Sequence, residues 1–207
     1  MTIELLNIDC MEYMANQPDE SFDLAIVDPP YGIETRGNAQ DRFRGGMQLE
    51  TVNDNKPSGE YFDELFRVSK SQIIWGYNHL SDMLPKCREF IFWYKHQPVV
   101  TFSDGELAWT SFQKTAKCFD MPFHEANLQN KGNKVHPTQK PRKLYDWILK
   151  NYATPDMRIL DTHAGSMSSA IAAHYFGCDF VGCEIDKDYY DAAMERFDRE
   201  TAQKAMF

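Results

Sequence analysis

Short apolar runs alternate along the chain with amphipathic stretches of helical length. Residues 22–27 (FDLAIV), 72–75 (QIIW), 89–94 (EFIFWY), 157–160 (MRIL) and 178–183 (CDFVGC) are brief, rich in branched and aromatic side chains, and bounded by polar residues, Gly or Pro. Runs of this kind predict buried β-strands, and residues 3–8 (IELLNI) predict one more. Tyr61, Phe62, Leu65 and Phe66 fall at helical spacing within 60–69, as do Leu144, Trp147, Ile148 and Leu149 within 141–152. Further helices are expected over 10–16, between 75 and 89, over 168–176 and from Lys187 onward. Residues 32–57 turn to Gly, Asn, Arg and Asp and predict a long loop. Residues 95–135 are irregular apart from a pair of strands near 107–110 and 116–119.

Strands alternating with helices predict an α/β fold: a doubly wound, mostly parallel sheet with helices on both faces. Ligands of such sheets bind beyond the carboxyl ends of the strands. Asp9, Asp28, Asp161 and Glu184 stand at the ends of expected strands, where that rule places a site. No internal repeat or low-complexity segment divides the chain, so residues 1–207 are expected to form a single domain.

Composition narrows the class. With 207 residues and 43% hydrophobic content, the chain can bury a substantial core. No apolar stretch reaches membrane-spanning length, and the start lacks a basic region followed by an apolar run, so a cytoplasmic protein is expected. The five cysteines form no C-x-x-C pair, which favours free thiols in a reducing compartment. The six histidines show no H-x-x-x-H spacing, so no metal site is expected. The net charge of −9 argues at first against a polyanionic partner. Its distribution changes that: residues 86–150 carry 11 Lys and Arg against 6 Asp and Glu, leaving 11 against 25 elsewhere. A basic middle in an acidic scaffold suits a protein that meets nucleic acid with one face, although chance clustering of solvated charges gives the same count.

Three constellations carry chemistry. Asp28-Pro29-Pro30-Tyr31 follows an apolar strand. A carboxylate and a backbone carbonyl there can accept both hydrogens of an aromatic amine and direct its lone pair. The prolines remove donors and stiffen the loop, and Tyr31 offers a flat face to an extruded base. A proline turn with an Asp cap accounts for the same four residues. Second, Asp161-Thr162-His163-Ala164-Gly165-Ser166 joins a strand to a helix, with Glu184 one strand later. A small-residue turn admits a ligand to the backbone and the acidic residue can accept from ribose hydroxyls, while an ordinary βα turn reads the same way. Third, His136-Pro137-Thr138-Gln139-Lys140-Pro141 is a polar turn opening a helix, with Thr138 or Gln139 as candidate caps.

Taken together, these residues resemble the permuted (beta-class) DNA amino-methyltransferases, in which a D-P-P-Y loop precedes the cofactor turn. The resemblance covers nearly the whole chain. It implies a Rossmann-like S-adenosylmethionine-dependent methyltransferase fold in circularly permuted order, and a site-specific transfer of methyl to the N6 amine of adenine in DNA. It implies Asp28, Pro29, Pro30 and Tyr31 as the catalytic loop acting on a flipped base. It places Asp9 and Cys10 at the cofactor adenine, Asp161, Gly165 and Ser166 around the methionine moiety, Glu184 at the ribose, and Thr138, Gln139 and Lys140 near the methionine end. The family turn reads D-P-F-x-G-S-G; here Thr162, His163 and Met167 stand for Pro, Phe and the last Gly, which implies altered methionine contacts.

Residues 35–57 and 95–135 are left as target-recognition segments, with Arg36, Arg42, Arg44, Lys95, Lys114, Lys117, Lys131 and Lys134 as candidate DNA contacts, each equally readable as a solvated charge. The first loop residue separates targets: D-P-P-Y resembles adenine-N6 enzymes and S-P-P-Y cytosine-N4 enzymes. RNA adenine methylation and a catalytically weakened binding relative are the alternatives. A dehydrogenase is disfavoured because no G-x-G-x-x-G follows a strand. The small size is compatible with a stand-alone, phage-encoded enzyme and with a homodimer.

Overall fold

The computed structural model describes residues 1–32, 55–97, 103–130 and 134–202. All eight strands among them join one sheet in the order β1-β8-β7-β2-β3-β5-β4-β6. The strands are β1 (Ile3–Asn7), β2 (Leu24–Val27), β3 (Gln72–Trp75), β4 (Phe90–Tyr94), β5 (Gly105–Thr110), β6 (Lys117–Asp120), β7 (Arg158–Asp161) and β8 (Asp179–Glu184). Only β5 runs against the rest, being antiparallel to both β3 and β4, while every other pairing is parallel. The expected mostly parallel sheet is therefore present. The two strands read in the irregular segment both exist, but they flank β4 and do not pair with each other.

Strand composition explains this placement. β2 (LAIV) and β3 (QIIW) are buried along their whole length, as continuous apolar runs in the middle of a two-sided sheet should be. Alternate residues feed opposite cores: Leu24, Ile26, Ile73 and Trp75 enter one, and Ala25, Val27 and Ile74 the other. The first core is covered by α5 (Arg142–Tyr152) and α6 (Ser168–Phe176) through Leu144, Ile148, Leu149 and Ala170, with Ala193 of α7 (Lys187–Thr201). The second is covered by α1 (Cys10–Ala15), α2 (Gly59–Val68) and α3 (Tyr77–Leu80) through Tyr13, Met14, Tyr61, Phe62, Leu65 and Leu80. Helices on both faces follow directly from this period of two.

One helix escapes the hydrophobic pattern. α4 (Phe123–Asn130) lies inside the stretch read as irregular, and only Ala126 and Asn130 of it are buried. With so few inward positions it has no amphipathic stripe to betray it. No helix among the described residues is long and apolar enough to cross a membrane.

Candidate active site

Neighbouring parallel strands end side by side, so the sheet order lines up the carboxylates that follow them. From β1 through β8 and β7 to β2 the strands end at or just before Asp9, Glu184, Asp161 and Asp28. With strands about 4.8 Å apart, Asp28 stands one strand from Asp161 and two from Glu184. Four positions scattered over the sequence thus share one edge.

At the β2 end, both oxygens of Asp28 are engaged. Its Oδ1 accepts from the Tyr31 hydroxyl and its Oδ2 from the Lys140 ammonium, both in very short contacts. Tyr31 stacks on His79, ring centres 5.3 Å apart and planes 16° from parallel. The ring fits because Gly76, at φ +80°, ends β3 without a side chain; any Cβ there would strike it. Burial, then the Asp28 charge, push the Tyr31 phenol well above its ordinary range, which keeps it a donor.

Lys140 is buried, its side chain only 6% exposed, with its ammonium 5.4 Å from the centre of the Trp75 ring. It also lies 3.4 Å from Glu106 Oε2 on β5, while Lys95 pairs with Glu106 Oε1. Burial opposes the charged form of Lys140, but Asp28 and Glu106 outweigh it and raise its pKa. Burial likewise opposes ionised Glu106, and Lys140 and Lys95 overcome it to hold that carboxyl below its usual range. The result is a chain of alternating charge, Asp28–Lys140–Glu106–Lys95, running away from the loop after β2. Sequence reading put Lys140 near the methionine end of the cofactor and Lys95 at the DNA, and it did not single out Glu106. Nothing in the sequence pairs β5 with β4, the register that sets Glu106 across from Trp93, two residues before Lys95.

The other half of the edge is built on backbone donors. Glu184 accepts the Gly165 N–H at Oε2 and the Asp186 N–H at Oε1, each at 2.9 Å, and burial raises its pKa. Gly165 adopts φ +46°, so the turn suits glycine. Asp161 accepts from Ser169 Oγ at 2.6 Å and from the His163 N–H at 3.1 Å. Neither partner is cationic, and burial pushes the Asp161 carboxyl up to about 7. Ser166 is buried; its carbonyl and the Ser168 hydroxyl both accept from the Arg196 guanidinium, at 2.8 and 2.9 Å. Arg196, reaching in from α7 to hold this turn, was not singled out by sequence reading.

The departures at the turn acquire shapes. His163 meets the Tyr61 ring edge-on at 5.4 Å, and Thr162 Oγ1 lies 2.7 Å from the Tyr61 hydroxyl and 2.9 Å from His163 Nδ1. Burial drives His163 down to about 4, so it packs as a neutral aromatic ring. Met167 takes the left-handed conformation at φ +59° with its side chain fully buried. The third constellation lies over this turn: His136 approaches Gly165 and packs edge-on against Tyr189 at 4.5 Å. Burial, then Lys140, lower His136 to about 4.

A family model described as DNA methylase, of the N6/N4 methyltransferase type, matches residues 70–195. The chain belongs to that family. Two relatives extend over most of the chain at 24% identity each. One is the type II methyltransferase M.HpaI of Haemophilus parainfluenzae, covering 97% of this chain and 76% of its own. The other is the putative methylase YubD of Escherichia coli K12, covering 96% and 90%. Solved structures share the fold. A complex of M1.HpyAVI with SAM has a TM-score of 0.64 at 20% identity, over 94% of this chain and all of that one. TTHA0409 of Thermus thermophilus, a putative DNA modification methylase in complex with S-adenosyl-L-methionine, scores 0.62 at 18% over 100% and 96%. The cytosine-N4-specific PvuII DNA methyltransferase scores 0.64 at 16% over 95% and 86%.

The remaining expected site residues of this DNA methylase take modest places. Asp9 caps α1, accepting from the Met11 N–H at 2.8 Å. Burial, then Asp9, raise the adjoining Cys10 thiol to about 12, so it is not a nucleophile at neutral pH. Pro29 is buried and Pro30 half-buried beside Asp28. Thr138 is exposed, its hydroxyl 3.1 Å from His136 Nδ1. Gln139 ties the turn to α4, donating to Asn130 Oδ1 at 2.9 Å and accepting from the Val135 N–H at 3.0 Å. Neither caps α5, whose N-cap position is Pro141 without a side-chain bond. Of the candidate DNA contacts, Lys95 is bound to Glu106, Lys114 and Lys134 are exposed, and Lys117 is half-buried. Arg36, Arg42, Arg44 and Lys131 lie outside the described residues, as do residues 35–54 of the first recognition segment.

Proposed function

We propose that this DNA methylase transfers a methyl group from S-adenosylmethionine to the N6 amine of adenine in DNA. The observation that carries the reading is the adjacency of Asp28 to the Asp161–Glu184 cradle along one sheet edge. The cradle fits the cofactor. Glu184 spends one bond per oxygen on backbone N–H groups, and a carboxylate has lone pairs left for two ribose hydroxyls. Asp161 is a buried carboxyl without a cationic partner among the described residues, beside a turn that admits close approach; a methionine ammonium would supply the missing charge.

When bound, the cofactor supplies a methyl group made electrophilic by its sulfonium. The protein's own part lies at the β2 end. Asp28 accepts one N–H of a flipped adenine and the Pro29 carbonyl accepts the other, turning the lone pair out of the ring plane toward the methyl carbon. A nitrogen–carbon bond forms as the carbon–sulfur bond breaks, and the surplus proton on nitrogen passes to Asp28. Asp in the first loop position favours adenine. Cytosine N4 is the second reading, favoured by the likeness to the cytosine-specific PvuII enzyme at the same TM-score as M1.HpyAVI.

Incubation with labelled cofactor and plasmid DNA, followed by nucleoside analysis, tests the reading. N6-methyladenine is expected; N4-methylcytosine or unmodified DNA would overturn it. Asp28→Ala is expected to lose transfer by at least about a thousandfold while cofactor affinity by calorimetry stays within about threefold. Normal turnover by that variant would remove Asp28 from the chemistry.

A further inference from the structure

We infer that Lys140 is a two-position latch, resting on Asp28 and moving to Glu106 Oε2 when an amine takes its place, and that Glu106 is the positioning residue for this exchange. The inference rests on the reading of Asp28 as the amine acceptor and adds how the resting site is opened.

The geometry poses the problem. Asp28 Oδ1 is held by Tyr31 and Oδ2 by Lys140. Each oxygen keeps a lone pair that can accept from an incoming amine, which then shares the carboxylate with the group already there. Of the two occupants, the ammonium is the one that opposes the reaction, because transfer builds positive charge on the amine nitrogen at the same carboxylate. Lys140 cannot withdraw to water, since its side chain is 6% exposed and its ammonium faces the Trp75 ring. A buried cation that leaves one carboxylate requires another.

Glu106 Oε2 is that second station. It is buried, makes no hydrogen bond, and lies 3.4 Å from Lys140 Nζ, so a shift of less than an ångström brings it to ordinary bonding distance. Lys95 grips the other oxygen and fixes the carboxylate in place. The groups facing Lys140 are Asp28 and Tyr31 from the loop after β2, Glu106 from β5, and His136 on its own turn; Tyr145 of α5 faces Asp28 and Glu106 from the helix side. Asp28 and Glu106 are the carboxylates among these, so the ammonium has two seats. It keeps all three protons in the move, and no bond other than hydrogen bonds is exchanged.

Glu106→Gln keeps the shape and removes the second charge. Turnover on plasmid DNA is expected to fall on the order of 30-fold, with KM for DNA and cofactor within about threefold. Turnover of this variant should climb from pH 7 to 10, as Lys140 with one carboxylate loses its proton and releases Asp28, where the wild type stays flat. Adding Lys140→Met to Glu106→Gln should restore turnover above that of Glu106→Gln alone. A double variant as slow as or slower than Glu106→Gln, or a Glu106→Gln enzyme with wild-type turnover, overturns the latch. If Glu106→Gln does not fold, Lys140→Met and Glu106→Gln/Lys140→Met are compared instead. Equal turnover is expected, since Glu106 acts through Lys140, and unequal turnover overturns the proposal. The wild type run in parallel separates the two readings: wild-type methylation with an unaffected Glu106→Gln defeats the latch alone, and no methylated nucleoside from the wild type defeats both.

Discussion

Asp161 is the residue whose surroundings say most about ligand charge. Burial holds its carboxyl near 7, so at neutral pH it is partly protonated in the free protein. A cofactor ammonium beside it would favour the carboxylate and expel that proton. Cofactor binding at pH 7 should therefore release a fraction of a proton, seen as a buffer-dependent heat in calorimetry, with release fading by pH 9 and absent in Asp161→Asn. A buffer-independent heat at pH 7 would argue that no cation sits there. Met167 presents a contest of magnitudes. Its left-handed backbone costs about 1 kcal/mol, which Gly would relieve, but its buried side chain is worth roughly 2–5 kcal/mol. Met167→Gly is expected to destabilise by about 2–4 kcal/mol in chemical denaturation, although the D-P-F-x-G-S-G pattern that this turn resembles has Gly here. A more stable variant would mean that strain dominates.

At the scale of elements, the turn after β7 is tied down by a helix remote in sequence. Arg196 of α7 donates to the Ser166 carbonyl and Ser168 hydroxyl and is anchored by Glu200 at 2.7 Å. Burial lowers its pKa, yet Glu200 keeps it charged. Arg196→Met leaves the buried Ser166 carbonyl without this donor, a loss of about 2–3 kcal/mol. It is expected to lower the melting temperature by several degrees and weaken cofactor binding, measured by thermal melts and calorimetry. An unchanged dissociation constant would separate α7 from the site. The hydrophobic period read β2, β3 and α5 almost to the residue, because continuous apolar runs and a 3.6-residue stripe are local signals. It missed α4, whose inward face has too few residues to generate a period. It also gave no hint of Arg196, since a charged residue in a polar helix looks like solvent-facing surface until tertiary packing covers it.

For the molecule as a whole, acid stability follows from half-buried rings. His163 and His136 are each held near 4, below the unfolded value of about 6.5. A lowered base favours folding above its unfolded pKa and loses that contribution as pH falls through the folded value, so each costs up to about 3 kcal/mol between pH 6.5 and 4. Asp161, with a raised pKa, works the other way and gains as pH falls from 7. Glu184, also raised, adds to that gain and Glu106, held low, adds to the loss, so the His163 contribution is isolated by substitution. His163→Phe, which keeps the aromatic contact with Tyr61, should flatten the fall of melting temperature from pH 6.5 to 4. An identical slope in the variant would mean that His163 is charged in the folded state.

The sequence by itself determined the α/β layering, the two-sided sheet and the four strand-end carboxylates, because period, strand length and terminating residues are properties of neighbours in the chain. It also carried the D-P-P-Y, D-T-H-A-G-S and H-P-T-Q-K-P segments whose order suggested the family. Only the tertiary structure decided that β2 lies beside β7, bringing Asp28 next to Asp161, and that β5 enters reversed between β3 and β4 to set Glu106 under Lys140. Strand order and register arise from contacts between residues distant along the chain, and a buried ion chain exists only once those contacts exclude water. Lys140 and Lys95 therefore read as a cofactor contact and a DNA contact along the chain, and the fold makes them links of one chain of ion pairs behind the loop after β2.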